Sequence, residues 1–138
     1  MPTEILRTPL SPWPREAVLD STWGGPLADM VRFVQEMKIV ESENLIPLAR
    51  VNGQKLAAGL RALEAKFAGL LSNVRGQGLY QGFSLATPEL KNRLEKMALQ
   101  GEPLLLLGAG ADSIRLGPNW SVTATDIAPL MKHLERRL

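Results

Sequence analysis

The stretch from Leu104 to Val122, LLLLGAGADSIRLGPNWSV, constrains the fold of this chain more than any other. Its four consecutive leucines predict a strand that is covered on both faces. Gly108, Gly110 and Asp112 supply turn chemistry, so the chain is expected to reverse direction and form a second strand. A sheet with a hydrophobic covering layer is therefore the minimum architecture that the sequence demands.

Arg115 stands out within the second of these strands. It lies between Ile114 and Leu116 and is followed at once by the strand-breaking pair Gly117-Pro118. A planar guanidinium near a strand end can bind a carboxylate through two hydrogen bonds. Alternatively, the aliphatic stem lies along the sheet while the charged head reaches solvent, which is the commoner arrangement for a charged residue. The residues by themselves leave both interpretations open.

Helical periodicity precedes this stretch. Apolar residues recur every three or four positions from Leu27 to Ser42, which predicts an amphipathic helix. A second, longer helix is expected over residues 44–71, with Asn44 as its N-cap and Pro47 at the third helical position. Gly53 inside this helix costs about 1 kcal/mol relative to alanine, so a bend or a close packing contact is expected there.

The period changes after residue 71. Two strands are predicted at Val74–Arg75 and Leu79–Leu85, joined tightly through the intervening glycines. Thr87-Pro88-Glu89 then predicts a helix start, with Thr87 as the cap, and the helix is expected to stop at Gly101.

The last helix offers two possible starts. Thr123 and Asp126 fit a capping box, but Pro129 would then lie too deep in the helix. The later start, at Thr125 or Asp126, is therefore favoured.

The order of elements predicts an α+β fold. We expect a small, three- to four-stranded, mostly antiparallel sheet covered by helices on one face and preceded by a long helical pair. Residues 1–20 contain four prolines and no sustained period, which predicts an extended arm ahead of a domain spanning residues 21–138.

Composition excludes several classes of function. Sixteen basic and fourteen acidic residues are mixed along the chain, for a formal charge of +2, so neither a nucleic acid nor a membrane surface is expected as a partner. The chain has no cysteine and a single histidine, which excludes disulfides and argues against a metal site. No apolar run approaches the length of a membrane span. A cytoplasmic setting is expected.

The candidate chemical motifs are few. One histidine gives no basis for a Ser-His-Asp arrangement, and no catalytic residue is predicted. The segment GAGAD lacks the GxGxxG spacing and no helix follows it, so a nucleotide site there is not favoured. Ser21 and Thr22, which precede Gly24-Gly25, offer hydroxyl and backbone N–H groups that can hold a phosphate. The same pattern also fits a helix cap with a glycine turn, and pattern alone favours the cap.

Three segments together resemble a known family. STWGGPLADMVR, NVRGQGLYQGFSL and GADSIRLGPNWSVTATDI look like the C-terminal part of class III, fold-type I aminotransferases. The resemblance is to the group of lysine 6-aminotransferase and 4-aminobutyrate aminotransferase. It covers residues 19–138 in order and without large gaps. Each segment is weak alone, but three in register with helices between them are specific.

The resemblance implies roles for individual residues. The threonine of the family's S-T-[WF]-G-G motif reaches the phosphate of pyridoxal 5′-phosphate (PLP) in the other subunit of the dimer, and Thr22, preceded by Ser21, matches it. The arginine of the S-I-R motif binds the substrate carboxylate, and Arg115 matches it. Arg75 matches a recurrent Arg-Gly-x-Gly-Leu segment, for which a structural role is expected. Such enzymes transfer an amino group from an ω-amino or α-amino acid to a 2-oxo acid.

The sequence departs from the family pattern in three respects. Pro26 replaces a usual asparagine, and the LGPNW segment at residues 116–120 replaces a basic or aromatic residue followed by Pro-Pro-Leu. The N-terminal domain that holds the Schiff-base lysine in these enzymes has no counterpart here. The lysines of this chain lie on predicted amphipathic helices, whereas a nucleophilic lysine needs a desolvated pocket beside its cofactor.

Two hypotheses follow. The first is a truncated or split aminotransferase small domain that is inactive by itself, does not bind PLP alone and needs a homo-oligomer or a separate large-domain chain. The second is a stand-alone binding or interaction domain that reuses the same fold.

Overall fold

The computed structural model describes residues 26–100 and 104–138. In chain order the elements are α1 (Leu27–Ser42), α2 (Leu45–Lys66), β1 (Leu71–Gln77), β2 (Tyr80–Leu85), α3 (Pro88–Ala98), β3 (Leu107–Ala109), β4 (Ser113–Leu116) and α4 (Ala124–Arg137). They belong to two units: α1 lies in the first, which ends at Ser42, and all other elements lie in the second, residues 43–138. The predicted α+β class is confirmed.

The four strands form one antiparallel sheet in the order β1-β2-β4-β3. The β1–β2 hairpin and the β3–β4 hairpin are joined through the pairing of β2 with β4. In that pairing Phe83 lies opposite Ile114, and Gly82 lies opposite Arg115. Cross-strand partners project to the same side of a sheet, so this register decides which residues face the core.

One face of the sheet is buried under α2, α3 and α4. Phe83 and Ile114 are fully buried there. Removing each large side chain of this kind from water contributes about 1.5–3 kcal/mol. The core combines these two residues with leucines from the strands, from all three helices and from the segment before β3, namely Leu56, Leu60, Leu63, Leu71, Leu85, Leu94, Leu106, Leu116 and Leu134. The predicted covering of one face by helices is therefore confirmed.

A close backbone contact explains why a glycine occupies position 53 of α2, where glycine is unfavourable for the helix. A Cβ atom at residue 53 would lie 2.3 Å from both the carbonyl carbon and the carbonyl oxygen of Gly78, in the turn between β1 and β2. Backbone atoms of a tight hairpin cannot move aside as a flexible side chain can. Of the two sequence-based alternatives, close packing is the one that the structure contains, and it places α2 directly against the hairpin.

The end of α2 corrects the sequence-based boundary, which extended to residue 71. The helix ends at Lys66, and Gly69 adopts a left-handed conformation with φ of 85°. This turn frees Leu71 to begin β1, where it pairs with Leu85 and is buried. At the other end, Asn44 occupies the N-cap position but has φ of 53° and no capping hydrogen bond from its side chain.

The four leucines beginning at Leu104 do not form a strand covered on both faces, so that expectation was wrong. Only Leu107 belongs to β3, which is an edge strand of the sheet. Leu106 is buried, but Leu105 and Leu107 are exposed. Successive side chains of an extended segment point to opposite sides. Because α2, α3 and α4 cover only one of these sides, Leu106 is buried while its two neighbours are exposed.

The two later helices begin at threonine caps. The Thr87 hydroxyl accepts from the Leu90 N–H at 3.3 Å, as predicted. This helix ends at Ala98, earlier than expected, and residues 101–103 lie outside the described chain. Hydrogen bonds from its own N–H and from the Thr87 hydroxyl lower the pKa of Glu89 in the first turn.

The expected late start of α4 was wrong. The Thr123 hydroxyl and backbone N–H both donate to Asp126 Oδ2, at 2.6 and 2.9 Å, and these bonds lower the pKa of Asp126. The helix therefore begins at Ala124 and includes Pro129. Proline removes one N–H from the helix ladder, and the helix nevertheless continues through residue 129 with Ile127 and Leu134 buried in the core.

None of the helices in residues 26–100 and 104–138 combines the length and the apolar character that crossing a bilayer requires.

The glycine contact predicts a sharp difference between two substitutions in α2. Gly53→Ala should lower the free energy of unfolding by roughly 1–3 kcal/mol, because overpacking against the Gly78 backbone exceeds the gain in helix propensity. Urea unfolding followed by circular dichroism measures the change.

Gly59→Ala is the matched control. A Cβ there would meet only the flexible Met131 side chain, 2.6 Å from its sulfur. We expect a smaller loss or a gain in stability from this variant. Equal losses from the two substitutions would contradict the packing explanation.

Candidate functional site

The side of the sheet opposite α2, α3 and α4 carries two arginines and two serines that are candidates for a binding site. We call it the open face, and it is defined by Arg75, Tyr80, Gly82, Ser84, Leu107, Ala109, Ser113 and Arg115. The register assigns these residues to one side, because Gly82 pairs with Arg75 on one strand and Arg115 on the other. Leu107 pairs with Arg115 on the edge strand.

Arg115 is exposed on the open face, and its neighbours in β4, Ile114 and Leu116, are buried. Because successive side chains of a strand point to opposite faces, burial of these two neighbours directs Arg115 away from the core. Within residues 26–100 and 104–138, no acidic side chain forms an ion pair with it. With respect to those residues, the donors of its guanidinium are therefore available to an incoming anion.

Arg75 is held by a hydrogen-bond chain that crosses three strands. One terminal nitrogen donates to the Asn73 carbonyl at 2.9 Å and to Ser84 Oγ at 3.3 Å, and the other donates to Ser113 Oγ at 3.1 Å. Ser113 gives its own proton to Asp112 Oδ1 at 3.0 Å, so Ser84 is the donor in the 2.9 Å contact between the two hydroxyls. This hydrogen-bond chain ends at the Asp112 carboxylate, so the hydroxyls of Ser84 and Ser113 link the guanidinium of Arg75 to a group of opposite charge.

A bulge in β1 aims Arg75 at these hydroxyls. Two residues of β1, Asn73 and Val74, lie opposite the single residue Phe83 between the paired positions. Asn73 adopts φ of 56°, and the Val74 N–H donates to the Glu64 carboxylate of α2 at 3.2 Å. A bulge of this kind redirects the following side chain, here that of Arg75.

A hollow of about 380 Å³ lies on the open face, and we call it the arginine hollow. Arg75 and Arg115 line opposite sides of it, with Gly82 between them and Tyr80 at its border. A second concavity of about 600 Å³, the aromatic groove, is lined by Ile46, Ala49, Gln77, Leu79, Tyr80, Gly117, Pro118 and Trp120. Tyr80 belongs to both.

The other predicted site residues, Ser21 and Thr22, lie outside the described residues. The phosphate contact that the resemblance implies for them therefore stays a prediction. In the described part of the chain, no group of three or more metal-binding side chains comes together.

The lysines test whether this chain fits covalent attachment of PLP. All of them fall within the described residues, at positions 38, 55, 66, 91, 96 and 132, and none is buried. Lys66, for example, pairs with Glu135 on the surface. A Schiff-base lysine requires a desolvated pocket, so the lysines present here do not fit that role.

Comparison with known proteins then decides the family. The sequence model described as aminotransferase class-III matches residues 5–138. The chain belongs to the class III aminotransferase family. The resemblance inferred from three short segments is thereby confirmed.

Relatives and solved structures agree with this assignment. The L-lysine-epsilon aminotransferase of Mycobacterium tuberculosis (strain ATCC 25618 / H37Rv) is 38% identical over 109 residues, which is 79% of this chain and 24% of that protein. An acetylornithine aminotransferase of Thermosynechococcus vestitus is 37% identical over 121 residues, covering 86% of this chain and 29% of the relative. The structure of lysine aminotransferase from M. tuberculosis in the internal aldimine form matches 87% of this class III chain and 27% of its own, with a TM-score of 0.81 and 35% identity.

The class III chain thus spans about a quarter of the length of the lysine aminotransferases that it matches. Its sheet and helices correspond to one portion of a larger protein in each case.

Sequence reasoning missed several residues of the site. Asp112 was interpreted only as a turn residue, and Tyr80 and Trp120 were not singled out. Ser84 gave one usable signal, because it is a polar residue between the apolar residues Phe83 and Leu85 of a predicted strand. Ser113 gave a weaker one, since it lies between Asp112 and Ile114. Their pairing with Arg75 depends on the β1 bulge, and no sequence pattern indicated that bulge.

The hydrogen-bond chain predicts a measurable role for Arg75 in stability. Arg75→Gln should lower the free energy of unfolding by roughly 1 kcal/mol, because it removes donors to two hydroxyls and a carbonyl at a partly exposed site. Urea unfolding measures this. Arg93→Gln is the control, since Arg93 is exposed on α3 and donates only to the Met97 thioether among the described residues. Equal effects of the two substitutions would rule out a specific tie across the strands.

Proposed function

We propose that this chain supplies the carboxylate-binding part of a class III aminotransferase site, with Arg115 as the residue that binds the substrate carboxylate. One observation carries the proposal: Arg115 is exposed on the open face, beside a hollow and without an ion-pair partner among the described residues. A guanidinium presented in this way matches the geometry of a carboxylate. Family membership connects that chemistry to amino-group transfer between an ω-amino or α-amino acid and a 2-oxo acid.

The remaining chemistry is divided between Ser21 and Thr22 of this domain and a large domain that carries the lysine. Residues 21–138 act as an aminotransferase small domain behind an extended arm at 1–20. Ser21 and Thr22 contact the PLP phosphate of a partner subunit. The Schiff-base lysine belongs to a large domain, either in a separate chain or in a longer form of this one. A cytoplasmic setting and assembly as an oligomer are part of the same proposal.

Inactivity of the chain alone follows from its lysines. PLP would supply the electron sink for transamination when it is bound, but the lysines of this domain, none of which is buried, offer no desolvated amine to hold it. The chain is therefore expected to bind a carboxylate without catalysing transfer.

Carboxylate binding by Arg115 can be measured directly. We expect acetate, titrated at constant ionic strength into the ¹⁵N-labelled chain, to shift the amide signals of β4 and its neighbours. Arg115→Lys should weaken this binding by about tenfold, because an ammonium keeps the positive charge but cannot form the bidentate hydrogen bonds of a guanidinium. Arg93→Lys serves as the control. Unchanged binding in the Arg115 variant would exclude Arg115 as the carboxylate-binding residue.

Absence of covalent PLP attachment is a separate prediction. After incubation with PLP and reduction with borohydride, mass spectrometry of the intact chain should give only partial, scattered modification of its lysines. Digestion and peptide mapping locate any adduct. One reduced pyridoxyl group per chain on a single lysine would refute the proposal that this chain is inactive alone.

A further inference from the structure

The arginine hollow and the aromatic groove adjoin each other. Tyr80 is common to both, and the other lining residues come from the same unit. A Cβ placed on Gly117 would lie 3.7 Å from Cδ2 of Tyr80. The tyrosine ring therefore lies against the backbone just two residues after Arg115, and an anion bound to Arg115 would have the groove as its immediate neighbour.

Hydrogen bonds restrain the backbone of the segment that contributes Trp120 to the aromatic groove. Asn52 of α2 is buried, and its amide nitrogen donates to the Val122 carbonyl at 2.8 Å. The Val122 N–H in turn donates to the Asn119 carbonyl at 3.2 Å, and the Ser121 hydroxyl donates to Asn119 Oδ1 at 2.9 Å. These bonds restrain the backbone on both sides of Trp120 before any ligand arrives, and a restrained backbone reduces the entropy lost on binding.

The groove also presents apolar surface that a ligand could cover. Trp120 is 50% exposed and Tyr80 is 61% exposed. Ile46, Leu79 and Pro118 complete an apolar lining. Concave apolar surface beside a few well-placed polar groups is the usual form of a small-molecule site.

Charge narrows the choice of ligand. The groove and the hollow are lined by two arginines and, in the described chain, by no aspartate or glutamate. A ligand with a cationic far end would find no counter-ion in the groove. A ligand with a carboxylate at one end and an uncharged, apolar body would satisfy both parts.

We propose that this site takes a carboxylate with an alkyl or aryl body, its carboxylate on Arg115 and its body in the aromatic groove. The inference rests on the proposed role of Arg115 and narrows the class of substrate that the site accepts. The groove depends on Pro118 and Trp120, which belong to the segment where this chain departs from the family pattern.

The test compares three probes on the intact chain by ¹⁵N NMR titration: acetate, 4-phenylbutyrate and the neutral 4-phenylbutanol. We expect 4-phenylbutyrate to bind at least about tenfold more tightly than acetate, because burial of its body adds to the carboxylate contact. Its signal shifts should extend from β4 to Tyr80 and to the indole N–H of Trp120. The neutral alcohol should bind more weakly than 4-phenylbutyrate.

Two variants assign the contributions. In Trp120→Ala, the ratio of the acetate and 4-phenylbutyrate dissociation constants should fall toward one. Leu99→Ala is the matched control, because Leu99 is exposed to a similar extent, 53% against 50% for Trp120, but lies outside the groove. In Arg115→Gln, both carboxylates should bind more weakly. Circular dichroism of each variant verifies that the fold is retained, and the shift map of the unaltered chain locates the body of the ligand independently.

The outcomes separate this inference from the proposed function. Equal affinity for acetate and 4-phenylbutyrate, or a ratio unaffected by Trp120→Ala, would overturn the apolar-body inference and leave Arg115 as the carboxylate-binding residue. Carboxylate binding that survives Arg115→Gln unchanged would overturn the role of Arg115 and, with it, the inference built upon that role.

Discussion

The pairing of β2 with β4 is the interaction on which the rest of this structure depends. It joins two hairpins into one sheet and sets Phe83 opposite Ile114 in the core. A slip of one residue would bury Arg115 and expose Ile114, because the side-chain period of a strand is two. The burial of apolar residues on one face thus fixes the direction of the arginine on the other, and no contact of the guanidinium itself is needed to aim it.

Helix α2 supports this sheet from the opposite side and also shapes the groove. The missing side chain at Gly53 lets the helix approach the backbone at Gly78. The neighbouring residue, Asn52, holds the segment after β4 through the Val122 carbonyl. Two adjacent residues of one helix therefore position the hairpin that contributes Tyr80 and the loop that contributes Trp120. The site depends on residues that a ligand would never touch.

Much of the fold followed from local pattern, and the exceptions have physical causes. The α+β class, the antiparallel strands and the Thr87 cap were predictable because periodicity and capping are local. The prediction of a strand covered on both faces at Leu104 was wrong because apolar character alone does not show how many faces of a strand are covered. The start of α4 was predicted too late because Pro129 is tolerated within a helix that buries Ile127 and Leu134 in the core, and packing of this kind supplies most of the stability of helices in proteins. Arg115 was singled out from its sequence, but the hydrogen-bond partners of Arg75 were not, since a bulge and two strand pairings bring them together.

The sequence by itself determined the order of the elements, the amphipathic character of the helices and the family, because these are properties of spacing and of matched segments. Only the tertiary structure decided that Arg75 and Arg115 flank Gly82, that Tyr80 joins the hollow to the groove, and that Trp120 forms a wall. The reason is that such arrangements depend on strand register and on contacts between residues far apart in the chain. The residue types can predict that a strand contains a cation, but the pairing of the strands determines which residues lie beside that cation on the sheet surface.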